Sequence, residues 1–110
     1  MSRIAYVDGR YVPHNRAAVS IDDRGYQFAD GVYEVIAVAG GRLVDGPRHL
    51  ERLHRSLKEL RIGWTMTDAA LLAILTELVR RNSVVDGSVY FQISRGVARR
   101  DHAFPAKASP

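Results

Sequence analysis

The sequence contains no cysteine. A disulfide framework, a thiolate nucleophile and a cysteine metal site are therefore excluded. No run approaches the roughly 18 apolar residues that a membrane-spanning helix needs. The start, MSRIAYVDGRYV, carries no apolar signal segment. These absences fit a cytoplasmic protein without a membrane partner. A glycine-rich phosphate loop, HExxH spacing and a serine in a nucleophile elbow are also missing. Lysine is scarce, with Lys58 and Lys107 alone. Lys58 falls between Arg55 and Glu59 on an expected helix, and Lys107 lies in an aperiodic tail. Neither place has the apolar surroundings that covalent amine chemistry needs.

What the chain does have is arginine. The formal net charge is +4 over 110 residues. A basic balance can serve nucleic acid or another phosphate-bearing partner. Here the arginines are scattered and no nucleic-acid motif accompanies them, so no nucleic-acid partner is expected. The hydrophobic fraction of 46 % and charged fraction of 25 % are ordinary for one small globular domain.

The pattern along the chain reads as an α+β domain. In IAYVDGRYVP, Asp8-Gly9 separates two β-rich runs and suits a type I′ hairpin turn, with Pro13 ending the second strand. Residues 14–30 are polar and irregular, long enough for a functional or well-packed loop. GVYEVIAVAGGRLVD reads as a second hairpin with Gly40-Gly41 at its turn. Val32, Glu34, Ile36 and Val38 share one face of its first strand, and Tyr33, Val35, Ala37 and Ala39 the other. Asp45 and Pro47 look like a cap and a first-turn proline. They precede a helix whose Leu50, Leu53, Leu57 and Leu60 recur at helical spacing. Arg48, Arg52, Arg55 and Glu59 fall on its far side. Thr67 can cap a second helix, which ends in arginines. A last strand follows, with Val89, Phe91 and Ile93 on one face and Tyr90, Gln92 and Ser94 on the other. Tight turns between neighbouring strands argue for an antiparallel or mixed sheet with two helices packed on it. The tail VARRDHAFPAKASP closes nothing, so the natural sequence is expected to continue past Pro110, with this chain as an N-terminal domain.

Candidate chemistry is sparse. His49 and His54 are five apart and share no helix face well, so no metal site is expected. Arg100 and His102 alternate in an extended segment and can converge on one anion. An arginine fork grips a carboxylate through two parallel hydrogen bonds, and histidine adds a third donor. A solvated loop is the competing reading. Arg52 is either a solvated charge or a phosphate ligand. Tyr33 and Tyr90 lie on strand faces as core or rim aromatics, and Tyr90 shares its face with Gln92 and Ser94, which suggests a polar pocket.

Three stretches, DRGYQFADGVYEVI, HLERLHRSLKELRI and VYFQISRGVARRDHAFP, together resemble the N-terminal domain of the D-amino acid aminotransferases. These are class IV aminotransferases, pyridoxal-phosphate enzymes of fold type IV. The similarity runs in order from about Tyr6 to Pro105. It implies a homodimer of two-domain subunits with the cofactor in the cleft between domains. By position, Arg52 matches the cofactor-phosphate ligand, and Tyr33 a contact to the substrate carboxylate. Arg100 and His102 match the pair that completes the carboxylate trap, reaching in from the partner subunit. Tyr90 resembles a tyrosine near that trap. The loop and strand of residues 23–35 would line the cleft, with glycines letting backbone pass close to other groups. The family's Schiff-base lysine belongs to the second domain, beyond Pro110, so no catalytic residue is expected in this chain and the 110 residues alone are not expected to transaminate. The implied reaction passes an amino group from a D-amino acid such as D-alanine to a 2-oxo acid such as 2-oxoglutarate. Branched-chain aminotransferases and aminodeoxychorismate lyases share the fold and are the enzymic alternatives. A truncated, non-catalytic domain that dimerises or binds an anion is the third.

Overall fold

The computed structural model describes residues 3–110. Strands β1 (Ile4–Val7) and β2 (Arg10–Pro13) pair antiparallel. Asp8 and Gly9 join them at φ +47° and +88°, the two positive angles of a type I′ turn. This hairpin is a sheet of its own. It is fastened to the far end of the second long helix by Asn82. The Ile4 N–H donates to Asn82 Oδ1 at 2.9 Å, and Asn82 Nδ2 donates to the Ile4 carbonyl at 3.0 Å.

The expected irregular stretch 14–30 is more ordered than its composition indicates. A single 3₁₀ turn covers His14–Arg16, and a five-residue helix, α1, spans Arg24–Phe28. Asp23 caps α1, its carboxylate accepting from Gly25 N at 2.8 Å. Such short-range capping makes a helix too brief for any periodicity to show.

The second sheet has three strands in the order β4-β3-β5, all antiparallel. Its members are β3 (Gly31–Ala39), β4 (Arg42–Leu43) and β5 (Gly87–Ser94). Gly40 and Gly41 turn β3 into β4 at φ +59° and +75°. The expected alternation holds residue by residue: Val32, Glu34, Ile36 and Val38 are buried, while Tyr33, Val35, Ala37 and Ala39 are exposed.

Helices α2 (Gly46–Glu59) and α3 (Asp68–Arg81) cover the buried face. Leu50, Leu53 and Leu57 of α2 and Leu71 and Leu75 of α3 meet Val32, Ile36, Val89 and Ile93 in one core, with Leu60 and Trp64 packed at its edge. Burying a leucine side chain removes about 1.5–3 kcal/mol of unfavourable apolar hydration, so these residues fix which sheet face is covered. Thr67 caps α3 as expected, accepting from Ala70 N at 3.1 Å. Asp45 does not cap α2 with its side chain. Its left-handed backbone, φ +56°, aims the chain into the helix, and only its carbonyl serves, accepting from His49 N at 3.2 Å. Among the described residues, no helix is long and apolar enough to cross a membrane.

Candidate active site

Because α2 and α3 occupy one face of the three-stranded sheet, the other face is left bare. The register sets Tyr33 opposite Gln92 and Val35 opposite Tyr90. Tyr33 and Tyr90 are thus diagonal neighbours on the bare face. Their rings stack at 5.7 Å with an interplanar angle of 28°. Tyr33 is 65 % exposed and Tyr90 57 %. The Tyr90 hydroxyl donates to Gln92 Oε1 at 2.8 Å. The result is an aromatic platform edged by polar groups, standing in solvent.

Helix α1 lies against the end of this platform. A Cβ on Gly25 would fall 2.8 Å from Ser94 Cβ and 2.9 Å from Gln92 Nε2, and one on Gly31 would fall 2.8 Å from the Ile93 carbonyl oxygen. Both approaches need glycine, as expected for this stretch. The five-residue helix carries Phe28, and the tail comes back to it. Arg100 Cζ lies 5.4 Å from the Phe28 ring centroid, and the His102 ring centroid lies 5.0 Å away. Arg100 and His102 therefore share one aromatic support, although strand alternation does not bring them there. The segment bends at Arg100 and again at His102, and the Oδ1 of Asp101 between them accepts from Ala103 N at 3.1 Å. Both side chains belong to exposed residues, so their donors are available to an anion.

Under this corner is a charged knot. Arg24 and Arg95 both hold Asp30: Arg24 Nε donates to Asp30 Oδ2 at 2.6 Å and Arg95 Nε to the same oxygen at 2.8 Å. Arg24 is only 2 % exposed. Its Nη1 donates to the Asp101 carbonyl. Arg95 spends its remaining donors on the carbonyls of Leu60, at 2.6 Å, and Arg61, at 3.1 Å. Burial alone would push the Asp30 carboxyl up. Hydrogen bonds from Arg95 and then Arg24, with their charges, outweigh that and hold it below its ordinary 3.8. Buried charges need pairing of this kind.

Arg52 stands elsewhere, on α2 beside β3. Its Nε donates to Glu34 Oε2 and its Nη2 to Glu34 Oε1, each at 2.9 Å. His49 Nδ1 lies 2.7 Å from the same Oε1. Arg52 holds the Glu34 carboxyl below its usual value, against the opposing effect of burial and with help from His49. The carboxylate in turn raises Arg52, to which the Tyr33 phenol adds a smaller contribution in the same direction. Glu34 thus fixes one edge of a guanidinium whose side chain is 62 % exposed. The Nη1 edge makes no hydrogen bond among the described residues.

The structure accordingly brings Tyr33 together with Tyr90, and Arg100 together with His102, and sets Arg52 at the Glu34 side of β3. His49 and His54 turn to different carboxylates, Glu34 and Asp68. Lys58 and Lys107 are exposed. Sequence reasoning missed Arg24, Asp30, Arg95, Phe28 and the anchoring role of Glu34. One signal was present: a glutamate inside an otherwise apolar strand face implies a partner, and His49 and Arg52, three positions apart on one side of the helix, could supply it.

The chain also matches known proteins. The family model for amino-transferase class IV matches residues 31–110, and the chain belongs to that family. It is 43 % identical over 103 residues to a D-alanine aminotransferase of Bacillus licheniformis, covering 94 % of this chain and 36 % of that protein. The crystal structure of a 4-amino-4-deoxychorismate lyase from Pseudomonas aeruginosa aligns with a TM-score of 0.68 at 35 % identity, over 86 % of this chain and 33 % of that one. The branched-chain amino acid aminotransferase of Escherichia coli aligns with a TM-score of 0.89 at 19 % identity, over 99 % of this chain and 37 % of that one; at that identity the likeness is one of fold. The chain spans about a third of the length of the curated relatives it matches.

Proposed function

We propose that this chain is the N-terminal domain of a pyridoxal-phosphate-dependent D-amino acid aminotransferase. The observation that carries the reading is the 43 % identity to a D-alanine aminotransferase across nearly the whole chain, joined to the grouping of Arg100 and His102 on Phe28. The substrates are a D-amino acid such as D-alanine and a 2-oxo acid such as 2-oxoglutarate. The working protein is a homodimer of two-domain subunits.

The residues present fit the cofactor's phosphate. Arg52 is exposed, and Glu34 occupies only one edge of its fork. Its free Nη1 edge suits a phosphate oxygen, since a guanidinium pre-set in one orientation loses little freedom on binding. When bound, pyridoxal phosphate supplies the electron sink that makes amino transfer feasible. The chain's own contribution is to bind and orient. Arg100 and His102, reaching in from the other subunit of the homodimer, donate to the substrate α-carboxylate, and Tyr33 donates its phenol to the same group, with Tyr90 beside it. Holding that carboxylate on one side sets which face of the α-carbon is presented for proton transfer, and so the handedness of the amino acid. The lysine that moves the proton belongs to the second domain, and the 110 residues alone do not transaminate.

A second reading has its own support in the 35 % identity to a 4-amino-4-deoxychorismate lyase. Purified gene product carrying this chain, loaded with pyridoxal phosphate, separates the two. We expect turnover of D-alanine with 2-oxoglutarate, and none of 4-amino-4-deoxychorismate. Release of 4-aminobenzoate from the latter without D-alanine turnover would favour the lyase. Preference for branched-chain L-amino acids would favour a third branch of the family.

A further inference from the structure

We infer that Arg24 is a positioning residue for the Arg100–His102 pair. It sets the distance and aim of those two side chains by holding the backbone between them. This inference rests on the carboxylate-trap reading above and deepens it.

The geometry is specific. Arg100 and His102 are exposed and lie in a segment with no helix or strand. Nothing in such a segment fixes side-chain direction by itself. Asp101 lies between them, and its carbonyl accepts from Arg24 Nη1. Arg24 is not free to follow a moving tail. Asp30 holds its Nε at 2.6 Å, and Asp30 is itself held by Arg95. The Arg24 backbone N–H donates to the Gly96 carbonyl at 2.9 Å, and the Arg95 N–H to the Asp30 carbonyl at 3.0 Å. The root of α1 is thus clamped to the end of β5, and the guanidinium reaches from that clamp to the tail.

The same guanidinium carries the aromatic support. Arg24 Cζ lies 4.8 Å from the Phe28 ring centroid. Arg100 Cζ and the His102 ring approach the same Phe28 ring. Arg24 and Phe28 lie four residues apart on α1, on one side of it. One buried arginine therefore makes two contacts toward the trap, to its backbone and to its aromatic support, while Asp30 holds the arginine itself. Two guanidinium edges are needed at once, one for Asp30 and one for Asp101. A lysine at this position supplies one point charge and cannot serve both in the same way.

The substitution Arg24→Lys in the intact gene product tests this, with Arg100→Gln and His102→Asn alongside it. Arg24→Lys is expected to raise KM for both D-alanine and 2-oxoglutarate about tenfold, the size of one lost charge-assisted hydrogen bond. Its kcat should change less than about threefold, and pyridoxal-phosphate affinity should not move. The cofactor-free protein gives a second readout. In its histidine-ring NMR spectrum, the His102 signal, assigned by its loss in His102→Asn, is expected to carry a ring-current shift from Phe28. That shift should collapse in Arg24→Lys. Should Arg24→Lys fail to fold, the unsubstituted protein supplies the test: an NMR coupling through the hydrogen bond from Arg24 Nη1 to the Asp101 carbonyl is expected, and a freely rotating guanidinium with no such coupling would overturn the inference.

If Arg100→Gln and His102→Asn raise KM while Arg24→Lys changes neither KM nor the His102 shift, the positioning inference fails and the trap stands. If all three leave KM unchanged, the trap reading fails and takes this inference with it. A lowered unfolding temperature with KM and the His102 signal intact would mean that Arg24 only stabilises the fold, and would overturn the inference.

Discussion

Asp30 and Glu34 lie four residues apart, one just before β3 and one within it, and each holds two basic side chains. The two groups end in opposite states. Around Asp30 the whole group is sealed: Arg24, Arg95 and the carboxylate are buried, and each arginine also donates to a backbone carbonyl. Around Glu34 the carboxylate is buried, but Arg52 is 62 % exposed and keeps an edge without a partner. The same chemistry therefore takes two forms. The sealed knot fixes backbone, whereas the half-open one leaves a cation in solvent, as the proposed phosphate contact requires. Exposure, more than charge pairing, separates the two groups.

Several substitutions sharpen that contrast. The largest effect should come from Asp30→Asn, which leaves two buried guanidinium groups with no compensating charge. We expect a loss of about 3–5 kcal/mol, read by urea unfolding. A loss below about 1 kcal/mol would mean that the knot is not sealed. Gly31→Ala should come next. Its Cβ would meet the Ile93 carbonyl oxygen at 2.8 Å, a clash costing about 1–3 kcal/mol, again seen by unfolding.

The two knots also carry an acid dependence. Asp30 and Glu34 titrate below their ordinary 3.8 and 4.5 when folded. As pH falls, the unfolded chain therefore takes up these protons first. Their stabilisation is whole above about pH 5 and is lost as pH drops through the ordinary values and then the lower folded ones. Asp30→Asn should flatten this acid limb in a pH series of unfolding midpoints, and an unchanged limb would refute its assignment.

Glu34→Gln should act on binding more than on folding. Losing the charge that fixes Arg52 should weaken affinity for inorganic phosphate or pyridoxal phosphate severalfold, measured by titration. Arg80→Ala should do least. Its partner Glu77 is drawn down to about 2 by Arg80 and then Arg81, yet the pair lies in solvent, where screening removes most of its value. No measurable change in the unfolding midpoint is expected.

The same contrast explains what could be read from the sequence. Turns and helices were legible because their signals are local. Asp8-Gly9 and Gly40-Gly41 adopt the expected positive φ angles, Thr67 caps α3, and the leucines of α2 face the core. Strand alternation placed Tyr33 and Glu34 on opposite faces correctly. Helix α1 was hidden because five residues show no period, and it depends on the Asp23 cap. Asp45 looked like a cap, but its left-handed backbone leaves only its carbonyl to serve. The Asp30 knot was hidden for a different reason. Arg24 and Arg95 are 71 positions apart in the chain, and an arginine without context reads as solvated. The roles of Tyr33, Tyr90, Arg52, Arg100 and His102 came from family resemblance, because spacing leaves each with an ordinary alternative.

The central claim is that the exposed Arg100–His102 pair binds a substrate carboxylate and sets handedness. The most direct measurement compares D-alanine and L-alanine as amino donors to 2-oxoglutarate, using the intact gene product and its Arg100→Gln variant. The account predicts turnover of D-alanine, none of L-alanine, and a fall of at least about a hundredfold in kcat/KM on substitution, as for loss of a bidentate charged contact. Equal turnover of the two enantiomers, or an unchanged kcat/KM in the variant, would contradict it.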